Sequence, residues 1–492
     1  MSQIGYARLI AQFDLTVRAL RKPAVISTAV NRKVVAEDRV LFPTGVALDD
    51  SPLGHLEFAL RHEGVNLEVI EAAFAHIEPA SLVARLRATP NGDPIRRACF
   101  LWEWLTGQTL EADVAPTGSY VDLFPVDEYF TSAMPRRMPR FRVRDNALGT
   151  ADFCPIVRRI SVPTMPDLAE LLAEARHTLE ATQGSDLYER ALQYLYLSET
   201  RGSFGIEHES PSADKQARFV ELLRHAGEDV RMDENGLVQL QNVIVRDAYS
   251  QETSYRTRQN WLEDATGRIT FFPPPPEDLR RVMGGWAAFV NDTQRCPDNL
   301  VKAACAAFGL VYLHPFMDGN GRLHRFLIHH VLARSGLLGR EWLIPVSAVI
   351  LKRIPAYHAV LSGFSRPVTA LWNYQRGDAA PMILRTPGGR PYRFFEADQE
   401  VAFLHEMIRL AVQDEIPAEL AWLQGYDAAF AMLDADLDLP RKDLSALIRM
   451  IHSNGGKLSQ NRRRQYSYLP DAVLNRIEVV VGGVFANGKD AC

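Results

Sequence analysis

Cysteine is sparse in these 492 residues. There are five, Cys99, Cys154, Cys296, Cys305 and Cys492, and no two form a CxxC pair. That spacing offers neither a disulfide framework nor a zinc site, and it fits a reducing compartment. Cys492 is the last residue, so it is not a prenylation box. Long apolar runs are also missing. The clearest, Ala304 to Leu313, is about half of a membrane span and reads as a buried helix. The first residues, MSQIGYARLIAQFDL, have no basic stretch leading into an apolar core, so no signal peptide is expected. Charge of one sign does not dominate: 55 Lys and Arg face 60 Asp and Glu, a net charge of -5. This argues against a chain that coats nucleic acid generally. No repeat of fixed period is visible. These absences lead us to expect a cytoplasmic protein that does not engage a membrane.

What is present is the composition of a globular protein, 47% apolar and 23% charged, with a length that suggests about three domains. Residues 1 to 165 alternate helical patterns with polar, Pro-containing connections, an α+β pattern of unknown role. Glu57 to Ile77 spaces its apolar residues like two helices broken near Gly64. Pro94 to Gly107 reads as a buried helix stopped by glycine. The basic segment Pro135 to Arg144, PRRMPRFRVR, is best read as a solvated loop or strand. Val162 to Pro166 is a candidate linker, after which Asp167 caps an amphipathic helix. Helical patterns continue to about Ala226 and resume from Glu277 almost to Gly336, interrupted by the loop at His314 to Arg325. Between Tyr255 and Phe272 two strand-like runs flank a turn at Thr266 and Gly267, which predicts a β-hairpin ended by Pro273 to Pro276. A Gly/Pro cluster at Pro387 to Pro391 marks the last boundary. From 390 to 492 the pattern is a small helical domain. Leu444, Leu447, Ile448 and Ile451 form one stripe, Leu474, Ile477 and Val481 another, and Lys457, Arg462, Arg463 and Arg464 lie between them. A packing domain with a solvated basic face is the preferred reading over a winged-helix-like, DNA-binding one.

The chemistry concentrates in His314 to Arg325, HPFMDGNGRLHR. An apolar helix delivers His314. Asp318, Gly319, Asn320 and Gly321 follow, and the glycines permit positive φ and converging backbone N–H groups. A second helix then begins, and a helix N-terminus with a glycine-rich approach is an anion site. Arg322 and Arg325, three apart, share a face and can bind further phosphate oxygens. A carboxylate beside an anion site makes sense if Asp318 holds Mg²⁺ between phosphates. His314 is the natural base. A base, a metal carboxylate and a phosphate cradle together suggest phosphoryl or nucleotidyl transfer to a hydroxyl. Taken singly, Asp-Gly and Asn-Gly are ordinary turn dipeptides. The specificity lies in the whole constellation, which is not a P-loop, because no Gly-Lys-Ser/Thr follows.

That constellation resembles the Fic family signature HPFx[D/E]GNGRxxR at every specified position, and the flanking order resembles the Fic core over about residues 166 to 385. The resemblance implies a mostly α-helical Fic-type core with a β-hairpin flap near Arg258 to Ile269. It implies transfer of AMP from ATP to a Ser, Thr or Tyr hydroxyl of a target protein clamped beside the flap. His314 would deprotonate the hydroxyl, and Asp318 would hold Mg²⁺. Gly319, Asn320 and Gly321 would form the anion hole, with Arg322 and Arg325 on the outer phosphates. Phe316 would anchor the loop, and Tyr357 would line the adenine pocket.

Upstream, SETRGSFGIEHE resembles the family's inhibitory motif [S/T]xxxE[G/N] through Ser203 and Glu207, with His208 where Gly or Asn is usual. The resemblance places an inhibitory helix near 200 to 216, whose Glu207 would occupy Arg325. Three alternatives stand beside AMP transfer: UMP transfer, AMP removal with Glu207 orienting water, and a DNA-binding regulator using the C-terminal domain. Self-association is left open.

Overall fold

The structure is a computed structural model that describes residues 2–46, 49–159, 167–183, 186–245, 251–337, 342–377 and 380–487. The predicted linker Val162 to Pro166 lies outside the described residues. Helices dominate, and the sheets are small. The chain divides into two compact units. The first gathers residues 1–165, 203–336 and 353–406, and the second gathers 166–202, 337–352 and 407–492.

In the first unit, helices start and stop where local chemistry dictates. Ser51 caps Pro52–His62 by accepting the Gly54 N–H, and Asn66 caps Leu67–Phe74 through the Val69 N–H. Gly107, at φ 69°, ends Asp93–Thr106, the left-handed stop a glycine adopts without strain. These helices close over one apolar cluster that includes Leu56, Ile70, Leu86, Leu101 and Phe141. Each such side chain, fully buried, contributes about 1.5–3 kcal/mol. Phe394, far along the chain, packs into the same cluster, so residues 1–165 and the later segment share a core. The basic stretch becomes the strands Arg136–Met138 and Val143–Asp145 of a three-stranded sheet. Arg136 and Arg137 face solvent, while Phe141 and Val143 are buried.

Two helices frame the motif. Asn299–Leu313 is capped by Asp298, buried along nearly its whole length and closed by His314. Asn320–Arg334 begins at Gly319 and packs against it. The predicted hairpin forms: Leu262–Glu263 pairs antiparallel with Ile269–Phe271. Its turn is tied by the Asp264 carboxylate, which accepts the Thr266 and Arg268 N–H groups. Pro276–Asn291 then opens with a proline in its first turn.

In the second unit, Leu444, Leu447, Ile448, Ile451, Leu474, Ile477 and Val481 share a core with Ala429 and Leu433. Gly455 and Gly456, at φ 67° and 90°, follow the helix Arg441–Ser453. The short helix Gln460–Gln465 buries no residue and is held through Arg463, which pairs with Glu478 and Asp471. Beyond Arg390 the described residues form helices and no strand.

Candidate functional site

The apolar helix Asn299–Leu313 delivers His314 in the left-handed conformation, at φ 48°, and turns the chain into the loop. The His314 Nδ1 faces the Val311 carbonyl at 3.4 Å. A carbonyl only accepts, so that nitrogen carries the proton and Nε2 keeps its lone pair. Burial, with the Arg256 guanidinium nearby, lowers the imidazole pKa to about 4. His314 is therefore neutral at pH 7, the state a general base requires.

Phe316 is fully buried and anchors the loop. Asn320 zips the loop shut: its side chain accepts the Phe316 N–H at 3.1 Å and donates to the Phe316 carbonyl at 2.8 Å. Its contribution to an anion site is thus its backbone N–H, at the head of the second helix. Gly319 sits at φ 85°, where a side chain would strain the backbone and meet Val245. Asp318 is 56% exposed. Its Oδ1 accepts the Gly319 N–H at 2.6 Å and lies 3.5 Å from Arg322 Nη2. Among the described residues no group of three or more His, Cys, Asp or Glu gathers as a metal cage. A lone exposed carboxylate still fits Mg²⁺, which commonly keeps waters and shares one or two carboxylates with substrate phosphates.

The two motif arginines are occupied. Arg325, 1% exposed, donates from Nε to Ser203 Oγ at 2.7 Å and from Nη2 to the Ser203 carbonyl at 2.8 Å. Its Nη2 also donates to Glu207 Oε1 at 2.6 Å. Glu207 Oε2 lies 2.9 Å from Arg322 Nε, an ion contact without the angle of a hydrogen bond. One carboxylate thus bridges both arginines. It also presses on the loop: a Cβ at Gly321 would lie 2.5 Å from Glu207 Oε1. Arg322 is further held by Glu209 Oε2 at 3.4 Å and stacks over Phe204 at 5.4 Å.

The helix Asp186–Ile206 explains why Glu207 points here. The Glu209 N–H donates to the Phe204 carbonyl and the His208 N–H to the Gly205 carbonyl. This is a Schellman ending with Glu207 as the cap and His208 as the left-handed residue, at φ 57°. The position usually given to Gly or Asn is thus a left-handed one, which His208 occupies despite its Cβ.

Tyr357 is 4% exposed and lies behind the second arginine, its hydroxyl 3.2 Å from His324 Nδ1, rather than on an open wall. Burial raises its phenol pKa, an effect partly countered by Arg325.

The structure therefore brings Ser203, Glu207, Gly321, Arg322 and Arg325 together, with Asp318 beside Arg322. It adds residues that sequence spacing does not mark. Gln241 donates to the Asp318 carbonyl at 3.4 Å, and Glu252 accepts the Met317 N–H at 3.1 Å. Glu209 and Arg256 join them. All four come from segments distant in sequence or outside the motif, and no periodicity points to them.

Residues 231–332 match the Fic/DOC family. The protein adenylyltransferase Fic of Nematostella vectensis is 30% identical over 139 residues, 27% of this chain and 30% of that one. That of Aedes aegypti is 43% identical over 65 residues, 13% of each chain. The chain thus spans less than a third of the length of these curated relatives. Solved structures are more distant. A Fic family protein from Desulfovibrio desulfuricans G20 is 17% identical with a TM-score of 0.37, covering 63% of this chain and 86% of that one. A Fic domain containing signaling protein from Bacteroides thetaiotaomicron is 16% identical, also at 0.37, covering 52% and 97%. Among the described residues no helix is long and apolar enough to cross a membrane. With the complete loop signature at His314 to Arg325 and the family match over residues 231–332, the chain carries a domain of the Fic/DOC family.

Proposed function

We propose that this chain transfers AMP from ATP to a Ser, Thr or Tyr hydroxyl of a protein, and that Glu207 holds the reaction back. The supporting observation is the single carboxylate that bridges Arg322 and Arg325 beside Gly321. Those arginines are the groups on which the outer phosphates would rest. A carboxylate there takes the donors and places negative charge where phosphate should lie.

In the released state the steps follow from the loop. His314 Nε2 takes the proton of the incoming hydroxyl. The oxygen attacks the α-phosphorus, and the bond to pyrophosphate breaks. Backbone N–H groups at the start of Asn320–Arg334 face the developing charge. Arg322 and Arg325 orient the leaving phosphates so that attack is in line. Asp318 would hold Mg²⁺, which supplies charge neutralisation on the phosphates when bound. The curated relatives named protein adenylyltransferase Fic support AMP as the transferred group.

The experiment is incubation of wild type and Glu207→Gly with labelled ATP, UTP, GTP and CTP, reading self-labelling and lysate labelling by mass. Labelling by ATP, stronger in the variant, is expected. Labelling by UTP alone would replace AMP by UMP, and no labelling from any nucleotide would end the transferase reading.

A further inference from the structure

Arg256 is 5% exposed, and among the described residues its guanidinium makes no direct ion pair; the Glu277 carboxylate acts on it only at longer range. A buried charge without a direct ion pair is costly unless its donors are satisfied. Here they are satisfied by main-chain carbonyls from three places. Nε donates to His314 O at 2.9 Å, Nη1 to Arg258 O at 3.1 Å and Nη2 to Pro274 O at 2.6 Å. The Arg256 backbone N–H donates to Pro315 O at 2.8 Å.

The three carbonyls are not arbitrary. Arg258 leads into the strand Leu262–Glu263, and Pro274 follows the strand Ile269–Phe271. His314 is the base. One planar fork therefore fastens both ends of the hairpin to the main chain of the catalytic residue. Neighbours reinforce the tie: Gln259 Nε2 donates to Pro273 O at 3.0 Å, and Asn260 Nδ2 approaches Phe316 O at 3.5 Å. Lysine has the charge but not the fixed fork, and glutamine has one amide in place of three nitrogens.

Thr369 Oγ1 already accepts the Phe272 N–H and donates to the Thr270 carbonyl beside the second strand, so the exposed Leu262–Glu263 strand is the edge to which an extended polypeptide can pair through its main chain. Such pairing gives register only if the edge is fixed relative to the base. A slip of one residue would turn a different side chain toward His314. We propose that Arg256 is a positioning residue that locks the hairpin at a fixed offset from His314, and so selects which hydroxyl of a bound segment is modified. The selection rests on the transferase reading, whereas the lock itself does not.

Two measurements on the full chain separate these. The first is hydrogen exchange without nucleotide, comparing wild type with Arg256→Lys and Arg256→Gln. We expect protection to fall together in 257–263, 269–274 and 314–317, with the rest of the unit unchanged. Unchanged protection would overturn the lock, and so would loss spread evenly through the unit, which marks Arg256 as an ordinary structural residue. The second is mapping of self-modified sites in the Glu207→Gly background with ATP. With Arg256→Lys added, neighbouring hydroxyls should be modified and the main site should weaken by about tenfold, while ATP affinity stays within about twofold. An unchanged site map at reduced rate would overturn the selection. If Glu207→Gly labels nothing, the transferase reading and the selection fall with it, and the exchange data still decide the lock.

Discussion

Replacing Glu207 by glycine removes one carboxylate from two arginines, and the geometry says which matters more. Arg325 is almost fully buried, and Glu207 accepts one of its three hydrogen bonds at 2.6 Å. Arg322 has a looser contact and keeps Glu209 after the change. A charge-assisted hydrogen bond is worth about 1.5–3 kcal/mol net. If that energy opposes productive ATP seating, its removal should raise the transfer rate by about ten- to a hundredfold. Glu207 is the cap residue, just past the helix, so glycine there costs little helical stability. Glu207→Gln is the companion variant. It keeps the bulk beside Gly321 and removes the charge, so it should fall between wild type and glycine.

The assay is incorporation of label from α-labelled ATP, with ATP affinity measured separately. The coupling is tested by a cycle with Arg325→Ala. If Glu207 acts through Arg325, then Glu207→Gly should raise the rate far less in the Arg325→Ala background. A residual gain there measures the share carried by Arg322. Equal gains in both backgrounds would refute the route through Arg325. An unchanged rate in the single variant would refute inhibition by Glu207 altogether. Slower AMP removal from a modified protein would instead favour the hydrolytic reading.

Four further outcomes are expected. His314→Ala should abolish transfer with ATP binding retained, and because burial and Arg256 lower the His314 pKa to about 4, the wild-type rate should show no acid limb near pH 6.5. Asp318→Ala should lose Mg²⁺-dependent nucleotide binding in calorimetry, while the melting temperature stays nearly constant because the side chain is exposed. Glu400 is buried against the Tyr312 hydroxyl at 2.8 Å, and burial raises its pKa to about 7 from 4.5. The folded state holds this proton more tightly than the unfolded chain, so its contribution is full below pH 4.5 and lost as pH rises through 7. Relative to Glu400→Gln, the wild type should lose on the order of 3 kcal/mol between pH 4 and pH 8.5, read by denaturant titration. His208→Gly should relieve a left-handed strain of about 1–2 kcal/mol at the end of Asp186–Ile206 and, if Glu207 inhibits as proposed, lower basal labelling several-fold, with no effect once Glu207 is glycine.

The parts of the site legible in the sequence are those whose chemistry is local. His314 to Arg325 is one turn between two helices, so spacing alone put the histidine, the glycines and both arginines close together. Ser203 and Glu207 were found only through the resemblance to the family's motif, and the structure brings both to Arg325. The apolar stripes at Leu444 and Leu474 were legible for the same reason. What spacing cannot carry is a contact made by chain return. Glu252 reaches Met317 across a loop, and Phe394 packs among helices from the first hundred residues. Arg256 stands in a polar run that reads as hairpin approach, and nothing in YRTRQNW separates it from Arg258, which is exposed. Tyr357 shows the converse. The resemblance put it on the adenine-pocket wall, and its burial behind Arg325 depends on how three separate segments pack.

The pairing of Ser203 with Glu207 also gives the proposed inhibitory motif a physical reading that the string of letters lacks. The serine hydroxyl and carbonyl fix the arginine from one side, one helical turn before the glutamate takes it from the other. The residue after the glutamate must turn left-handed to end the helix, which is why small or flexible residues suit it. His208 meets that demand with strain, so the helix end is held by the contacts of Glu207 and Glu209 rather than by easy backbone geometry. A stop that depends on ion pairs is weaker than one that depends on glycine, and it responds to whatever competes for the arginines. Phosphate oxygens are such competitors, so the hold on Arg325 should loosen as nucleotide concentration rises, in proportion to how far Glu207 can leave without unwinding the turn that precedes it.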